Sequence, residues 1–333
     1  MSVIPARRVA LCGLTLSVRP GHQHGSFTMS LMNATRNALP ALLAAACLAV
    51  APAQADNHAG EDAPSFTTAP LKGPLHLLQG KGGNIVASVG GDGVLLIDAD
   101  YTDMAPAYAR AVRELSASTD TPRFLLNTHW HLDHTGGNAL WGEQGTVVMA
   151  HDNVRARMAS GGRIAALGVE QGASPAEALP VVTYGDSAAL HFNGDTLELQ
   201  HYPNGHTDGD SVVYFAAENV VHMGDLFFKD RFPFVDMSSG GTVDGYIAGV
   251  QAVLARIDND TVVVPGHGDV ADKADLQRFA DMLVATRDHV RGRLAAGASV
   301  EDVVAEGLGE KWADWANPNF ITEERWIGFL AAE

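Results

Sequence analysis

Cysteine is almost absent from this chain of 333 residues, because the only two, Cys12 and Cys47, precede residue 56. The remaining chain therefore has no internal disulfide, no thiolate ligand for a metal and no cysteine nucleophile. It also lacks the Gly-x-Ser-x-Gly sequence that carries the nucleophilic serine of many hydrolases. The sequence thus excludes a thiol nucleophile after residue 55 and gives no sign of a serine elbow.

Positive charge is also scarce, and no basic stripe runs along the chain. The formal net charge is −17 at pH 7 with histidine neutral. Residues 1–55 contain four arginines and no acidic residue, so the remainder has 18 basic against 39 acidic side chains. This balance argues against a nucleic-acid partner. With 46% hydrophobic residues, the chain is long and apolar enough to form one large α/β domain.

An N-terminal extension and signal peptide are predicted for residues 1–55. Arg36 supplies a positive charge, residues 39–50 form an apolar run, and Ala53-Gln54-Ala55 is a small-residue cleavage site. Cleavage after Ala55 predicts a periplasmic or secreted protein. A lipoprotein cleavage site at Cys47 is less well matched, because the apolar run continues past it. The run is short for a bilayer span, so no stable membrane anchor is expected.

A flexible leader is predicted for residues 56–70, which are polar and contain proline. Beyond it, short apolar runs alternate with turns and amphipathic stretches, a pattern typical of an α/β fold. The predicted strands are 75–78, 84–89, 94–98, 123–127, 146–150, 181–184, 188–192, 196–202, 211–215, 220–223 and 261–264. The predicted helices are 103–118, one from 138, 154–167, 242–258 with Thr242 as N-cap, and others from 276 onward, with 168–180 as a loop. The strands from 181 onward are expected to form a second β-unit.

Four metal-ligating side chains occur within six residues, in the order His129, His131, Asp133, His134. They directly follow the apolar run 123–127, so they lie at the carboxyl end of a predicted strand, where sites gather in layered α/β folds. Three imidazoles and a carboxylate crowded together are unfavourable when buried, unless a cation compensates them. The cluster therefore predicts a metal site.

The sequence His-x-His-x-Asp-His followed by Thr-Gly-Gly resembles the metallo-β-lactamase superfamily. The resemblance covers residues 71–333, essentially the whole predicted mature chain. It implies a four-layer αββα sandwich with a hydrolytic site for two zinc ions. It also implies that Asp98, at the end of a predicted strand, supports the metal loop from behind the ligands.

Three further positions match the ligand pattern of the family. His206, Asp225 and His267 each follow a predicted strand and stand in or beside a glycine-containing loop. The resemblance implies that one ion is held by His129, His131 and His206, that the second is held by Asp133, His134 and His267, and that Asp225 bridges the two. Seven nitrogen and oxygen ligands without sulfur suit zinc, with iron or manganese as alternatives.

Such a site would use a metal-bound hydroxide to attack a small-molecule substrate. Asp133 and Asp225 are the predicted catalytic residues, since Asp133 can orient the nucleophile and Asp225 joins the ions. The expected reaction is the opening of a cyclic amide such as a β-lactam, an ester or a thioester. No nucleophilic side chain is needed for it.

The ligand set leaves several alternatives open. It departs from the best-known β-lactamase subclass, which has cysteine at the position of Asp225 and no histidine at that of His134. The complete set resembles glyoxalase II, other thioesterases and lactonases, although no basic cluster for glutathione is evident. A persulfide dioxygenase with one iron, and a metal-binding protein without turnover, are the remaining alternatives.

The segment 226–234 follows Asp225 and is rich in aromatic residues. We expect Phe228 to form a substrate wall and either Lys229 or Arg231 to receive a substrate carboxylate. Asn138, which follows Gly136-Gly137 as in β-lactamases, is a further candidate for substrate binding.

Overall fold

Two β-sheets and the helices on their outer faces make up the part of the chain that this computed structural model describes, which is residues 66–117, 119 and 121–332. The predicted signal peptide, its cleavage site and residues 56–65 lie outside the described residues. The strands, in chain order, are β1 Thr67–Lys72, β2 Leu75–Gln79, β3 Ile85–Gly90, β4 Gly93–Ile97, β5 Phe124–Leu126, β6 Val147–His151, β7 Gly162–Ile164, β8 Val169–Gln171, β9 Val182–Tyr184, β10 Ser187–Phe192, β11 Asp195–His201, β12 Ser211–Phe215, β13 Val220–His222 and β14 Val262–Val264. The α-helices are α1 Ala105–Ser116, α2 Leu132–Thr135, α3 Asn138–Glu143, α4 Asp152–Ser160, α5 Val243–Arg256, α6 Lys273–Ala295, α7 Val300–Glu306 and α8 Glu323–Ala331.

The first sheet has the strand order β1-β2-β3-β4-β5-β6-β9, and the second has the order β10-β11-β12-β13-β14. Neighbouring strands are antiparallel from β1 to β4 and from β10 to β13, and parallel from β4 through β9 and between β13 and β14. Parallel neighbours begin where a helix enters the chain, because a parallel connection needs a crossover. The α/β class predicted from the sequence is confirmed.

Three apolar clusters separate the layers. The cluster between the sheets combines inward side chains of both, including Leu77, Ile97, Leu199 and Phe215. A second cluster packs α1 and α3 on the outer face of the first sheet. The third packs α5, α6 and α8 on the outer face of the second sheet. The layers are therefore helix, sheet, sheet and helix, which is the predicted αββα sandwich.

Helix boundaries follow local capping chemistry. Thr242 is the N-cap of α5, as predicted, and its hydroxyl accepts a hydrogen bond of 2.9 Å from the amide of Gly245. Helix α6 begins with a capping box in which Asp272 and Asp275 each accept from the other's backbone amide. No helix among the described residues is long and apolar enough to cross a membrane.

Three boundaries differ from the sequence prediction. Strand β1 begins at Thr67, so four residues assigned to the flexible leader belong to the sheet. Helix α4 ends at Ser160 because Gly161 has a φ of +66°, and the expected helix and loop beyond it form the hairpin of β7 and β8. Strand β9 pairs with β6 in the first sheet, not with the second β-unit as predicted.

A pair of stacked imidazoles connects the two sheets. The rings of His151, at the end of β6, and His201, at the end of β11, have centroids 3.7 Å apart and an interplanar angle of 13°. Burial lowers the pKa of both side chains, and the neighbouring His201 lowers that of His151 further. The two rings therefore stack in their neutral forms near pH 7.

We expect this pair to make the stability of the fold depend on pH. A histidine whose pKa is lowered by folding binds a proton more readily in the unfolded chain, so its contribution to stability is lost as the pH falls below the ordinary value of 6.5. The free energy of unfolding, measured in urea at about pH 7.5 and about pH 5, should fall less in His201→Gln than in the parent protein. His191→Gln, on the exposed face of β10, is the matched control. An equal fall in the parent and His201→Gln would contradict the interpretation.

Candidate metal centre

The site begins where β5 ends and the chain turns away from the first sheet. The amide of Thr128 donates to Asp98 Oδ1 at 2.8 Å, and its hydroxyl donates to Asp98 Oδ2 at 2.8 Å. Residue His131 then caps the short helix α2, which brings Asp133 and His134 back toward the strand end. This strand-loop-helix turn directs His129 and His131 to one group of ligands and Asp133 and His134 to a second, adjoining group.

The first group of ligands contains His129, His131, His206 and Asp225, all of them buried. Their candidate ligand atoms lie within 4.8 Å of one another. His131 Nδ1 is 3.1 Å from His129 Nε2 and 2.9 Å from His206 Nε2. Asp225 Oδ2 is 3.5 Å from His206 Nε2. Three imidazoles and one carboxylate oxygen therefore surround a single position.

The second group contains Asp133, His134, Asp225 and His267, again within 4.8 Å of one another. His267 Nε2 lies 3.2 Å from Asp133 Oδ2 and 3.4 Å from Asp225 Oδ1. His134 Nε2 lies 3.1 Å from Asp225 Oδ1. Asp225 belongs to both groups and presents one oxygen to each. All seven ligands predicted from the sequence are thus brought together, in the two sets that were expected.

Two buried atoms test whether the site fits a cation. His134 Nε2 and Asp225 Oδ1 have no hydrogen-bond partner in the described part of the chain, although they face each other. Unpaired buried polar atoms of this kind are costly, and a cation between them would satisfy both. The donor set of imidazole nitrogens and carboxylate oxygens suits zinc. The residues therefore fit two metal ions that share Asp225.

The opposite ring nitrogens of three ligands are held by other groups. His134 Nδ1 pairs with Asp98 Oδ2 at 2.8 Å, so Asp98 lies where it was expected. His131 Nε2 pairs with Asp236 Oδ2 at 3.0 Å, and His206 Nδ1 pairs with the carbonyl oxygen of Phe234 at 2.8 Å. Such partners fix the tautomer and the orientation of a metal-binding imidazole.

The pKa values of the ligands reflect the same balance of burial and charge. Burial lowers the pKa of His206 to about 4 and, together with the charge on His134, lowers that of His129 well below 6.5. Burial also acts to lower the pKa of His267, but Asp225 and Asp133 outweigh it and raise the value to about 9. The carboxylates of Asp133 and Asp225 therefore need positive charge nearby. When no metal is bound, the protonated imidazole of His267 supplies it at the second group.

Two glycines allow the backbone to approach the ligands closely. A Cβ atom on Gly83 would lie 2.2 Å from the ring of His134, and one on Gly266 would lie 2.0 Å from Asp225 Oδ1. Any larger residue at either position would displace the ligand side chain. The phenol of Tyr246, from α5, holds Asp225 from the other side by donating to its carbonyl oxygen at 2.5 Å.

A cavity of about 360 Å³ opens onto the two groups. Its lining residues are Lys81, Tyr101, His131, Leu132, Asp133, Ile164, Leu167, Val169, Gln171, Asp225, Phe228, Arg231, Phe234, His267, Asn317 and Phe320. Phe228 and Arg231 therefore lie at the cavity, as expected. The ring of Phe228 also stacks on that of His267, with centroids 5.2 Å apart.

The other two predicted substrate-binding residues, Lys229 and Asn138, are not among the residues that line the cavity. Lys229 does not line the cavity, because its ammonium group donates to the carbonyl oxygen of Val270 and pairs with Asp275. Asn138 is fully buried, exchanges hydrogen bonds with the side chain of Asn127 and donates to the carbonyl oxygen of Ala178. Asn138 therefore joins the loop behind the ligands to the segment before β9 and does not line the cavity.

Several residues at the site were missed in the sequence. Asp236 stands in an irregular segment, and no motif marks it as the partner of His131. The hairpin of β7 and β8 supplies Ile164, Leu167 and Val169, but its strands of three residues are too short to give a clear pattern. Phe320 comes from a turn before α8, far from every motif.

The fold and the site together define a class of protein: an αββα sandwich with two adjoining groups of histidine and aspartate side chains at the strand ends, each of which could hold a metal ion. The sequence profile of the Metallo-beta-lactamase superfamily matches residues 79–267. The chain belongs to this superfamily. Its homologues in the superfamily are metal-dependent hydrolases.

Individual relatives are more distant. The chain is 26% identical over 246 residues to the 2,4-dinitroanisole O-demethylase subunit alpha of Nocardioides sp., with 72% of this chain and 69% of that protein covered. It is 31% identical over 147 residues to a hydroxyacylglutathione hydrolase of Polaromonas sp., with 43% and 47% covered. A metallo-beta-lactamase structure from Pontibacter korlensis is 18% identical with a TM-score of 0.54, covering 66% of this chain and 99% of that one. The structural likeness supports the fold.

The shared position of Asp225 predicts that both metals depend on it. Asp225→Ala should lose most of its bound zinc. Its affinity for zinc should fall by more than the roughly 10- to 100-fold that is typical when a residue supporting a ligand is removed. Zinc content, measured by elemental analysis of the dialysed protein, is the readout, with circular dichroism to check the fold. Asp230→Ala, at an exposed carboxylate that pairs with Arg278, is the matched control. Two equivalents of zinc in Asp225→Ala would show that Asp225 does not join the sites.

Proposed function

We propose that this chain is a dinuclear zinc hydrolase that opens a cyclic amide, an ester or a thioester. The observation that carries the proposal is the carboxylate of Asp225, which presents Oδ2 to one histidine group and Oδ1 to the other. Two complete ligand groups support two ions, whereas a dioxygenase site with one iron would need only one group. Two adjoining zinc ions, when bound, make a shared water acidic and polarise a substrate carbonyl.

Asp133 is suited to orient the attacking water. Its side chain is 20% exposed, while that of Asp225 is only 5% exposed, so Asp133 reaches the open cavity. Neighbouring imidazoles outweigh the effect of burial and lower its pKa to about 2, which keeps the carboxylate ionised at neutral pH. An ionised carboxylate at this place can accept a hydrogen bond from the nucleophile and orient it.

Arg231 is suited to bind an anionic group of the substrate. Lys81 and Arg231 bring basic side chains to the cavity wall, but Lys81 pairs with Asp103. The guanidinium of Arg231 donates to the carbonyl oxygen of Lys229, and it has no carboxylate partner among the described residues. We therefore assign Arg231, and not Lys229, to the substrate carboxylate.

The charged side chains at the cavity and the chemistry of one relative limit the class of substrate. A hydroxyacylglutathione hydrolase is among the relatives, and its thioester chemistry needs the same attack on a carbonyl carbon. Among the described residues, Arg231 is the one guanidinium at the cavity, and it has no carboxylate partner there, which suits a substrate with one carboxylate better than a highly charged one. A lactam, lactone or thioester with one acidic group fits this arrangement.

The proposal is tested by zinc-dependent hydrolysis with the purified chain. A chromogenic cephalosporin, a lactone and an aryl thioester should be assayed with added zinc and with a chelator. We expect turnover of at least one substrate that the chelator abolishes and zinc restores. A protein with two equivalents of bound zinc that hydrolyses none of these bonds would contradict the proposed reaction. Oxygen consumption by an iron-loaded protein would instead favour the dioxygenase alternative.

We further propose that the protein is exported and cleaved after Ala55. The support is the arrangement of Arg36, the apolar residues 39–50 and the Ala53-Gln54-Ala55 site. Expression of the full chain in a Gram-negative host should yield a periplasmic product that begins at Asp56. N-terminal sequencing of the fractionated protein is the measurement, and Ala53→Lys with Ala55→Lys should block cleavage. An uncleaved cytoplasmic product of the unchanged chain would contradict the proposal.

A further inference from the structure

Two parts of the cavity wall are apolar. One wall is the hairpin of β7 and β8, which contributes Ile164, Leu167 and Val169. The other wall is aromatic and contains Phe228 and Phe234 from the segment after Asp225, with Phe320 beside them. Apolar surface of this kind beside a candidate catalytic centre contributes favourable binding free energy only when an apolar group of the substrate covers it.

The mouth of the cavity extends the same surface outward. Six large hydrophobic side chains are exposed in the described part of the chain, and three of them, Tyr101, Leu132 and Val169, line this cavity. Tyr101 is 40% exposed and Val169 is 45% exposed. Single exposed apolar residues need no explanation, but a group around one opening indicates a binding surface. The apolar part of the ligand therefore continues beyond the metal groups toward the rim.

The two walls are held in place without a ligand. The side-chain amide of Gln171 donates to the carbonyl oxygen of Trp130 at 2.8 Å and fixes the base of the hairpin. The amide of Ala165 donates to the hydroxyl of Ser238 at 3.1 Å and fixes its tip. On the other side, the amide of Asn317 donates to the carbonyl oxygen of Ile321 at 2.9 Å and closes the turn that presents Phe320. Walls fixed in advance reduce the entropy that binding must overcome.

Phe320 lies outside the segment that carries the family pattern. The superfamily profile matches residues 79–267, and the turn 317–321 comes after it. Phe320 therefore adds to the aromatic wall from outside the matched segment, and no ligand motif predicts its place at the cavity.

We infer that the substrate carries an apolar acyl or aryl group of several carbon atoms next to its scissile carbonyl, held between Phe320 and the hairpin residues Leu167 and Val169. This inference rests on the proposed hydrolytic function, since it identifies the substrate class of the same site. A sugar or a polar peptide would leave hydroxyl or amide groups unpaired against these walls, which is unfavourable.

Binding of straight-chain carboxylates to the zinc-loaded full chain tests the inference without turnover. Such carboxylates are the acids that hydrolysis of the matching esters or thioesters would release. Calorimetric Kd values should be measured for the series from butanoate to decanoate. We expect the Kd to fall about fourfold for each added methylene, until the chain reaches the rim of the cavity. A Kd that does not change with chain length would overturn the inference.

Variants locate the effect in the two walls. Val169→Asn changes an exposed residue of the hairpin, and Phe320→Ala removes the ring from the aromatic wall. Both should weaken binding of decanoate by about tenfold or more and reduce the dependence on chain length. Val181→Asn, at a side chain that is 69% exposed and does not line the cavity, is the matched control. The same length dependence in Val169→Asn and Phe320→Ala as in the parent would overturn the assignment to these walls.

Failure of the inference can be separated from failure of the proposed function. Hydrolysis of small polar lactams or thioesters, with no effect of chain length on binding, would leave the hydrolase standing and overturn the apolar substrate class. Steep length dependence in a protein without hydrolytic activity would support the apolar binding site and contradict the reaction.

Discussion

The structure depends on the balance of charge around one buried carboxylate. Asp225 is 5% exposed and faces imidazoles of both ligand groups. An unpaired carboxylate in this position would be strongly unfavourable, and several protonated imidazoles beside it would repel one another. Two divalent cations would resolve both difficulties, because they would neutralise the carboxylates and keep the imidazoles neutral. Metal binding and folding are therefore expected to be coupled in this protein.

The two-sheet architecture brings the charges together. Asp98 and the motif from His129 follow β4 and β5 of the first sheet, whereas Asp225 and His267 follow β13 and β14 of the second. Neither sheet alone supplies both ligand groups. The hydrogen bond from the amide of Asn84 to the carbonyl oxygen of Gly266, at 2.8 Å, joins the sheets directly beside the site. The apolar layer between the sheets thus supports the site as well as the fold.

The sequence predicted those parts of the site that depend on local order in the chain. The ligands follow short apolar runs, and strand ends are easily recognised, so the pattern itself predicted the α/β class. The four-layer arrangement and the role of His206 as a ligand were implied by the resemblance to the superfamily. Contacts between distant segments could not be predicted. From the sequence alone, Lys229 and Asn138 were both plausible substrate-binding residues. In the structure, Lys229 pairs with Asp275 of α6, and the buried Asn138 donates to the carbonyl oxygen of Ala178. The pairing of β9 with the first sheet depended in the same way on distant packing.

The two walls of the cavity are connected to the metal ligands by different kinds of contact. The hairpin tip is linked through Ser238, which donates to Asp236, and Asp236 in turn holds His131. Phe320 reaches the same imidazole only through ring contacts with Phe234. Hydrogen bonds are directional, so movement of the hairpin would change the orientation of His131, whereas packed rings tolerate small shifts. Phe320 can therefore vary with the substrate at less cost to the metal centre than the hairpin can, whereas Phe234 in the same wall accepts a hydrogen bond from His206 and is more restricted.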